Sequence, residues 1–196
     1  MSVEKPQVIM IAGPNGAGKT TLAPFLLRDT LNVREYINAD PIALGLSGFD
    51  PSSVALAAGR IMLNRLHELA RQKKSFAFET TLAARSYAGW IETLSAEGYG
   101  FQLMFLWLQS AELAVQRVRG RVRAGGHDIP EDVIRRRYDA GLKNFWVLYQ
   151  PLADSWAVYD NSAAMIPTLL ATGERREVLT LDQRYLWKEF RNACRQ

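Results

Sequence analysis

The sequence has very little cysteine and histidine. Its 196 residues include one cysteine, Cys194, and two histidines. A single cysteine cannot form an intrachain disulfide, and so few thiols and imidazoles exclude a metal cluster of the Cys/His kind. Because a chain without disulfides suits a reducing compartment, we expect a cytoplasmic protein.

Long apolar runs are missing as well. The first segment, MSVEKPQ, has no apolar stretch of the kind found in secretory signal peptides. The first apolar run, QVIMIAG, is far too short to span a bilayer. The sequence therefore shows no targeting signal, and we expect no membrane partner.

The chain also lacks a strong excess of either charge. It has 24 lysines and arginines against 20 aspartates and glutamates, a formal net charge of +4. A small positive excess suits a site for anionic ligands, whether these are small molecules or nucleic acid. With 48% hydrophobic residues, the chain has the size and composition of one globular domain, and we expect a single domain over residues 1–196.

Predicted strands and helices alternate along the chain, which indicates an α/β fold with a doubly wound, mainly parallel sheet. Strands are predicted at residues 8–12, 33–37, 75–81, 101–108 and 156–162, with 165–173 as a sixth strand or an edge piece. Helices are predicted at residues 19–30, 51–72, 87–97 and 182–190, and one begins near Pro41. The run at residues 101–108 is apolar without alternation, which favours a central strand covered on both faces.

Three helices carry packing signals. In the helix at residues 51–72, the positions predicted to be buried are Val54, Ala57, Ala58, Ile61, Met62, Leu66 and Leu69. Ser110 is a good N-cap for a helix that ends at Gly125 and Gly126, and another helix starts near Pro130. That later helix carries Ile134, Tyr138, Leu142, Phe145 and Tyr149 at near-helical spacing. We expect Trp107, Trp146 and Trp156 to lie in the core.

Residues 13–20 form the strongest motif. They match the phosphate-loop pattern G-x-x-x-x-G-K-[ST] in full, after a predicted strand and before a predicted helix. Glycines let backbone N–H groups turn inward around phosphates, and the dipole of the following helix adds positive potential. Lys19 would bridge the β and γ oxygens, and Thr20 would ligate magnesium. The predicted nucleotide-binding residues are Gly13, Pro14, Asn15, Gly16, Ala17, Gly18, Lys19, Thr20 and Thr21.

Asp40 is the candidate general base. It follows the second predicted strand, and ligands of open parallel sheets gather at the carboxyl ends of the strands. A carboxylate there would accept the proton of an acceptor hydroxyl and orient its oxygen toward the phosphate. The alternative is that Asp40 only caps the helix begun by Pro41.

Glu79 ends the third predicted strand and should project into the same cleft. It is a candidate for holding magnesium or for contacting the acceptor. The alternative is a solvated charge at the end of a strand. Thr80 and Arg85 follow it and are candidate substrate-binding residues, with a surface role equally open for Arg85.

Arginines are concentrated at residues 117–137, which we interpret as a helical lid. Arg117 and Arg121 are four residues apart, as are Arg119 and Arg123, so one helix presents them in two neighbouring rows; Arg135, Arg136 and Arg137 follow after the glycine pair. Such a lid can close over a nucleotide and bring guanidinium groups to the transferring phosphate. The alternative is a solvated charged helix, partly neutralised by nearby carboxylates. The face lacks interleaved aromatic residues, so we do not expect a nucleic-acid partner.

Four segments together resemble the zeta-toxin family, in particular its short phosphate-loop kinase members. They are GPNGAGKTT, INADPIA, FETT and RVRGRVRAGGHDIPEDVIRRRY, within residues 8–162. The first is generic, but the other three in this order are far more specific to the family. The resemblance implies a three-layer P-loop NTPase fold and the cofactors ATP and Mg²⁺.

The best-understood members of that family phosphorylate the 3′-hydroxyl of the N-acetylglucosamine in UDP-N-acetylglucosamine. The resemblance therefore implies a kinase acting on this sugar nucleotide or a related sugar derivative. It assigns Lys19 to the phosphates, Thr20 to the metal, Asp40 to the base, and Glu79 to the metal or acceptor. Arg117, Arg121 and Arg136 would belong to the lid, with Arg121 and Arg136 acting on the transferring phosphate.

The chain also differs from the long toxins. In those proteins an arginine closely follows the glutamate motif, whereas TLAA intervenes here before Arg85. We expect no N-terminal inhibitory segment, so an antitoxin would be a separate protein. Two other functions stay open: a nucleic-acid end kinase or ATPase, and a nucleotide-binding module that acts with a protein partner.

Overall fold

A computed structural model describes residues 5–24, 27, 33–163 and 166–195. Within them, seven strands form one sheet in the order β2-β3-β1-β4-β5-β6-β7. The strands are β1 (Gln7–Ala12), β2 (Glu35–Ile37), β3 (Phe76–Thr80), β4 (Gly100–Trp107), β5 (Ser155–Asp160), β6 (Thr168–Glu174) and β7 (Glu177–Leu181). The helices are α1 (Lys19–Pro24), α2 (Ala39–Leu46), α3 (Ala55–Arg71), α4 (Ser86–Ala96), α5 (Ala111–Arg123), α6 (Glu131–Asn144) and α7 (Arg184–Ala193). None of these helices is long and apolar enough to cross a membrane.

The first five strands are parallel, and β6 and β7 add two antiparallel strands at one side. The mainly parallel α/β fold is therefore confirmed. The seventh strand was not predicted, because all five of its residues are exposed at the edge and show no burial pattern. The predicted helix at residues 19–30 is described only to Pro24 and at Leu27, so the rest of that prediction lies outside the described residues.

Strand β1 lies between β3 and β4, which sets the position of the phosphate loop. The chain leaves β1 toward β2 on one side and later returns to β4 on the other, so the loop after β1 lies where the winding reverses. Open parallel sheets bind ligands at this switch point, beyond the carboxyl ends of the strands. In the β1–β3 register Ile11 pairs with Glu79, which puts this carboxylate near the end of both strands.

The core forms around β4, as its unbroken apolar sequence predicted. Phe101, Leu103 and Phe105 are fully buried, and β4 lies in the middle of the seven strands. Trp107 and Trp156 are each 2% exposed, and Trp146 packs partly buried against the same core. The core prediction for the three tryptophans is therefore confirmed.

Helix α3 buries a narrower stripe than the sequence predicted. Its buried side chains are Ala58, Met62, Leu66, Leu69 and Ala70. The predictions for Ala57 and Ile61 are wrong, since Ala57 is exposed and Ile61 is 43% exposed. The contact face is a single row at spacings of three and four residues, and positions beside this row remain in solvent.

Helices α5 and α6 form the predicted arginine hairpin. The Ser110 hydroxyl accepts a hydrogen bond from Leu113 N at 3.1 Å, as an N-cap should. After α6 the chain continues through a π turn (Phe145–Tyr149) and a 3-10 turn (Gln150–Leu152). The five apolar positions predicted for this later helix are all buried: Ile134, Tyr138, Leu142, Phe145 and Tyr149.

Gly141 allows α6 to lie directly against the segment that follows β3. A Cβ atom at this position would collide with the carbonyl oxygen of Thr81. Asn144 Nδ2 donates to Leu82 O at 2.8 Å, and the Tyr149 hydroxyl donates to Ala84 O at 2.6 Å. These contacts fix α6 across the carboxyl end of β3.

We expect Gly141→Ala to destabilise the fold by about 1–3 kcal/mol, because α6 must move away from a backbone carbonyl. Gly120→Ala on α5 is the matched control, since a Cβ there has no atom within 4 Å in the part of the chain that the structure describes. This control should stabilise the protein by about 0.5–1 kcal/mol, because alanine forms helix better than glycine. Urea unfolding of both variants measures the difference. Equal midpoints would contradict the close approach of α6.

Cys194, directly after α7, is 3% exposed, and burial raises the pKa of its thiol. Thiol reagents attack the thiolate, so Cys194 should react very slowly with Ellman's reagent in the native protein and rapidly in denaturant. The absorbance followed over time gives the rate of each reaction, and its final value gives the number of thiols that have reacted. Rapid reaction of one full thiol in the native protein would show that this end of α7 opens.

Candidate active site

The phosphate loop joins β1 to α1. Gly16 and Gly18 have φ angles of 78° and 80°, a left-handed backbone that glycine adopts without steric cost. A Cβ on Gly16 would also lie 3.0 Å from the Arg117 Cβ, because α5 packs against the loop. Asn161 Nδ2 donates to Ala17 O at 2.8 Å and supports the loop from the end of β5. The sequence motif thus forms a tightly supported concave turn.

Lys19 lies over this loop. Its Nζ donates to Gly13 O at 2.8 Å and to Pro14 O at 2.9 Å. Burial lowers the pKa of Lys19 to about 8, and the carboxylates of Glu79 and Asp40 act in the opposite direction. Both carboxylates are therefore close enough to Lys19 to influence its charge.

Thr20 and Glu79 form one polar cluster with Tyr36 and Asn38, two residues to which the sequence analysis assigned no role. Thr20 Oγ1 donates to Glu79 Oε2 at 3.1 Å, and the Tyr36 hydroxyl donates to Glu79 Oε1. Asn38 Nδ2 donates to Thr20 Oγ1 at 3.2 Å. Burial raises the pKa of Glu79, whereas the Tyr36 hydrogen bond and the Lys19 charge lower it.

Asp40 lies in the first turn of α2 but does not cap it. The cap is Asn38, whose Oδ1 accepts from Asp40 N at 2.9 Å, so the helix begins before Pro41. Capping therefore does not explain the carboxylate of Asp40. This side chain is exposed and has no hydrogen bond or ion pair within the described part of the chain, which leaves it available to a ligand.

A cleft of about 500 Å³ brings most of the predicted site together. Its lining includes Lys19, Thr20, Asp40, Glu79 and Thr80, together with loop residues Asn15, Gly16, Gly18 and Thr21. Gly13, Pro14 and Ala17 are buried beneath the loop surface and support it from behind. Asn15 Oδ1 is buried at this cleft without a hydrogen-bond partner among the described residues. The phosphate loop and the candidate base thus share one cavity.

Three arginines also line the cleft. Arg117 Nη2 donates to Ser162 O at 3.0 Å, and Arg121 Nη2 donates to His127 O at 2.8 Å. Arg137, on α6, has no hydrogen bond or ion pair in the described ranges. Burial and the nearby Arg136 charge lower the pKa of Arg137, while Asp40 raises it. Arg137 is therefore a partly buried cation beside the candidate base, and such a charge favours an anionic ligand.

The structure does not bring Arg136 or Arg85 into the cleft. Both side chains are exposed, and neither lines the cavity. Arg137, and not Arg136, lines the cleft. Adjacent residues of helix α6 point in directions about 100° apart, so the two side chains lie on different sides of the helix. Two other arginines of the α5–α6 hairpin form ion pairs: Arg119 and Arg135 bind Glu131 at 2.6 and 2.8 Å.

The donor set fits magnesium. In the described residues no group of three or more His, Cys, Asp or Glu side chains could hold a metal ion. Magnesium in nucleotide sites needs few protein ligands, since phosphate oxygens and water complete its shell. The Thr20 hydroxyl and the Glu79 carboxylate provide two adjacent oxygens beside the phosphate loop. The unpartnered Asn15 oxygen and the Lys19 ammonium likewise suit a phosphate ligand with its bound cation.

A protein-family model described as an AAA domain (AAA_33) matches residues 8–147. The chain belongs to this AAA domain family. The match contains the phosphate loop, Asp40, Glu79 and the three cleft arginines. Together with the strand order and the phosphate loop, it shows a P-loop NTPase fold.

This AAA domain is similar to an uncharacterized protein of Haemophilus influenzae, with 30% identity over 136 residues, 69% of this chain and 95% of that protein. Among solved structures it resembles the AvrRxo1-ORF1:-ORF2 complex crystallised with ATP, with a TM-score of 0.73 and 15% identity. That match covers 95% of this chain but only 63% of the other. A structure of the PezAT chromosomal toxin–antitoxin system of Streptococcus pneumoniae has a TM-score of 0.59 and 18% identity, covering 85% and 73% of the two chains. At sequence identities of 15% and 18%, structural similarity shows only that the fold is shared.

Proposed function

We propose that this AAA domain is an ATP- and Mg²⁺-dependent phosphotransferase that phosphorylates an alcohol. One observation carries the proposal: Lys19 and Asp40 line the same cleft of about 500 Å³. A kinase of this kind needs an anion-binding loop and a hydroxyl-orienting carboxylate that face one cavity. The cleft arginines support it further, because phosphoryl transfer depends on charge stabilisation.

The loop residues and Lys19 would hold the phosphates of ATP. Thr20 and Glu79 would hold magnesium, which neutralises charge on the β- and γ-phosphates when bound. Lys19 would exchange its hydrogen bonds with Gly13 O and Pro14 O for phosphate oxygens. The Tyr36 and Asn38 hydrogen bonds keep Glu79 and Thr20 oriented toward each other.

Asp40 would orient the acceptor hydroxyl in line with the γ-phosphorus. In this step the acceptor oxygen forms a bond to the γ-phosphorus and the bond to the bridging oxygen of ADP breaks. The hydroxyl proton passes to the Asp40 carboxylate. Because this transition state is loose, the proton can leave late, so the reaction does not require a strong base.

Arg121 and Arg137 would stabilise the charge on the transferring phosphoryl group, and Arg117 would help to hold the nucleotide. The positive charges of Arg121 and Arg137 both lower the pKa of Lys19, which supports their position close to the phosphate-binding lysine. Arg117 is tied to Gly16 O and Ser162 O, so it is better suited to supporting the loop than to moving with the substrate.

The proposed acceptor is a sugar nucleotide such as UDP-N-acetylglucosamine, and the proposed partner is a separate antitoxin protein. The resemblance of four sequence segments to zeta toxins supports the acceptor. Structural likeness to the AvrRxo1-ORF1:-ORF2 complex and to a PezAT structure supports a protein partner. We place the reaction in the cytoplasm, where ATP and a reducing environment meet.

The direct test incubates the purified protein with ATP, Mg²⁺ and UDP-N-acetylglucosamine and follows the mixture by phosphorus NMR. We expect ADP and a new phosphomonoester signal in equal amounts. Release of inorganic phosphate without a phosphomonoester would contradict transfer to this sugar. A parallel reaction with single-stranded DNA controls for a nucleic-acid kinase, whose substrate affinity should fall steeply with salt.

A further inference from the structure

Gly59 leaves open space in the wall of the cleft. It lies inside the 17-residue helix α3 and lines the cavity. Among the described residues, a Cβ at this position would meet no atom within 4 Å. Glycine inside a helix is unfavourable relative to alanine, and no contact with the described part of the chain explains its presence here. The missing side chain instead enlarges the cavity.

This space belongs to the acceptor side of the cleft. Helix α3 contacts β2, and β2 and β3 lie on one side of β1. Helix α5, with Arg117 and Arg121, follows β4 on the other side of β1. Asp40, on α2, packs with the same α2–α3 unit that carries Gly59. A ligand whose hydroxyl reaches Asp40 therefore extends along the wall that contains Gly59.

Uncharged residues contribute much of the cleft lining on this side. Six of them come from α3 and from the end of β3 onward: Gly59, Met62, Thr80, Thr81, Ala84 and Tyr87. Thr80 Oγ1 accepts from Leu82 N at 3.1 Å and so keeps its proton to donate. The half-buried Tyr87 packs against Phe78, and its hydroxyl has no hydrogen-bond partner among the described residues. Apolar surface with a few hydroxyl groups suits a neutral ring that carries polar substituents.

We propose that Gly59 determines the size of the acceptor, and that the space beside it holds an uncharged, hydroxyl-bearing ring of the acceptor molecule. This inference rests on the proposed phosphotransferase function. The ring packs against Met62 while Thr80 and Tyr87 hydrogen-bond its substituents.

Gly59→Leu and Gly89→Leu form a matched pair for the test. Both glycines are inside helices, and a Cβ at either position meets no atom of the described ranges within 4 Å. Gly89, on α4, is exposed and does not line the cleft. The two substitutions therefore change helix propensity and surface hydrophobicity alike, but only the first fills the cavity. Circular dichroism and an unfolding curve for each variant show that both fold.

With UDP-N-acetylglucosamine as the probe, Gly59→Leu should raise the KM for this acceptor about tenfold or more, because a filled pocket excludes the ring. Its affinity for a non-hydrolysable ATP analogue, measured by calorimetry, should stay within about twofold of wild type, as expected when only the acceptor contacts are lost. Gly89→Leu should leave both values unchanged. An unchanged acceptor KM in Gly59→Leu, or an equal loss in Gly89→Leu, overturns the inference.

A labelling experiment tests the inference without measuring turnover. Gly59→Cys adds one accessible thiol to a chain whose own Cys194 is buried. The thiol at position 59 should react with the small neutral reagent methyl methanethiosulfonate about as fast as the thiol in Gly89→Cys. UDP-N-acetylglucosamine, added with the ATP analogue, should slow the reaction at position 59 and not at position 89. Equal rates with and without the sugar nucleotide overturn the inference.

The two experiments separate failure of the inference from failure of the proposed function. If the wild-type protein phosphorylates nothing while the sugar nucleotide protects position 59, the subsite stands and the phosphotransferase proposal fails. If transfer occurs and Gly59→Leu leaves the acceptor KM unchanged, the phosphotransferase proposal stands and the subsite is wrong.

Discussion

Asp40→Asn is expected to lower the rate of phosphoryl transfer by about 10²- to 10⁴-fold, because the acceptor hydroxyl loses its proton acceptor. Affinity for ATP should change little, since Asp40 lies on α2 and not in the phosphate loop. Asparagine keeps the size of the side chain, and Asn38 still caps the helix. Calorimetry with a non-hydrolysable ATP analogue and a coupled ADP assay measure the two quantities separately.

Asp139→Asn provides the control for this substitution. Asp139 is an exposed carboxylate on α6 that lines a different cavity, so its loss should leave transfer unchanged. Transfer by Asp40→Asn at the wild-type rate would exclude Asp40 as the base. A large loss of ATP affinity in the same variant would instead assign Asp40 to the nucleotide site.

Arg137→Ala should reduce transfer by about 10³-fold or more, in the range found where arginine fingers have been removed. The adjacent Arg136→Ala is a matched control, since it removes the same charge from the same turn of α6 at an exposed position. It should retain most of the activity. Arg137 lines the cleft beside Asp40, and its positive charge lowers the pKa of Lys19. Arg136 does not line the cleft.

The two arginine variants are compared by kcat at saturating ATP and acceptor. A loss in kcat with little change in the KM for ATP indicates a contact made mainly in the transition state. Equal activities for Arg136→Ala and Arg137→Ala would contradict the position of α6 over the cleft. A greater loss in Arg136→Ala would return the catalytic role to the residue that the sequence suggested.

The sequence was most informative where a feature is local. The phosphate loop needs only a strand, eight consecutive residues and a helix, and all of these are adjacent in the chain. The parallel sheet followed from alternating elements, and the central strand β4 from its unbroken apolar run. Strand β7 was missed because pairing alone defines it: its residues are exposed, and β6 supplies its hydrogen-bond partners.

The site depends more on tertiary packing. Tyr36 and Asn38 reach Glu79 and Thr20 only because β2 lies beside β3. Asn38 lies within the INADPIA segment, but the segment alone assigns it no contact. Their role could not be predicted from spacing. The helix cap shows the same limit, since the sequence offered Asp40 as the cap of α2 and the geometry assigns that role to Asn38.

The choice between Arg136 and Arg137 was available from helical phase. Ile134 and Tyr138 are buried and mark the inner face of α6. At 3.6 residues per turn, Arg137 lies about 60° from Ile134, whereas Arg136 lies about 160° away. This periodicity excludes Arg136 but not Arg135, which lies about 60° from Tyr138 on the other side of the buried face. Only the packing of α6 over the cleft selects Arg137.

Mass spectrometry of a metabolite extract incubated with the protein, ATP and Mg²⁺ tests the central claim most directly. We predict that one metabolite is replaced by a product heavier by a phosphoryl group, with ADP formed in step. Lys19→Ala should abolish both changes, because the phosphate loop loses its cation. Tight ATP binding without any phosphorylated product would contradict phosphoryl transfer to an alcohol and favour a nucleotide-binding module that acts with a protein partner.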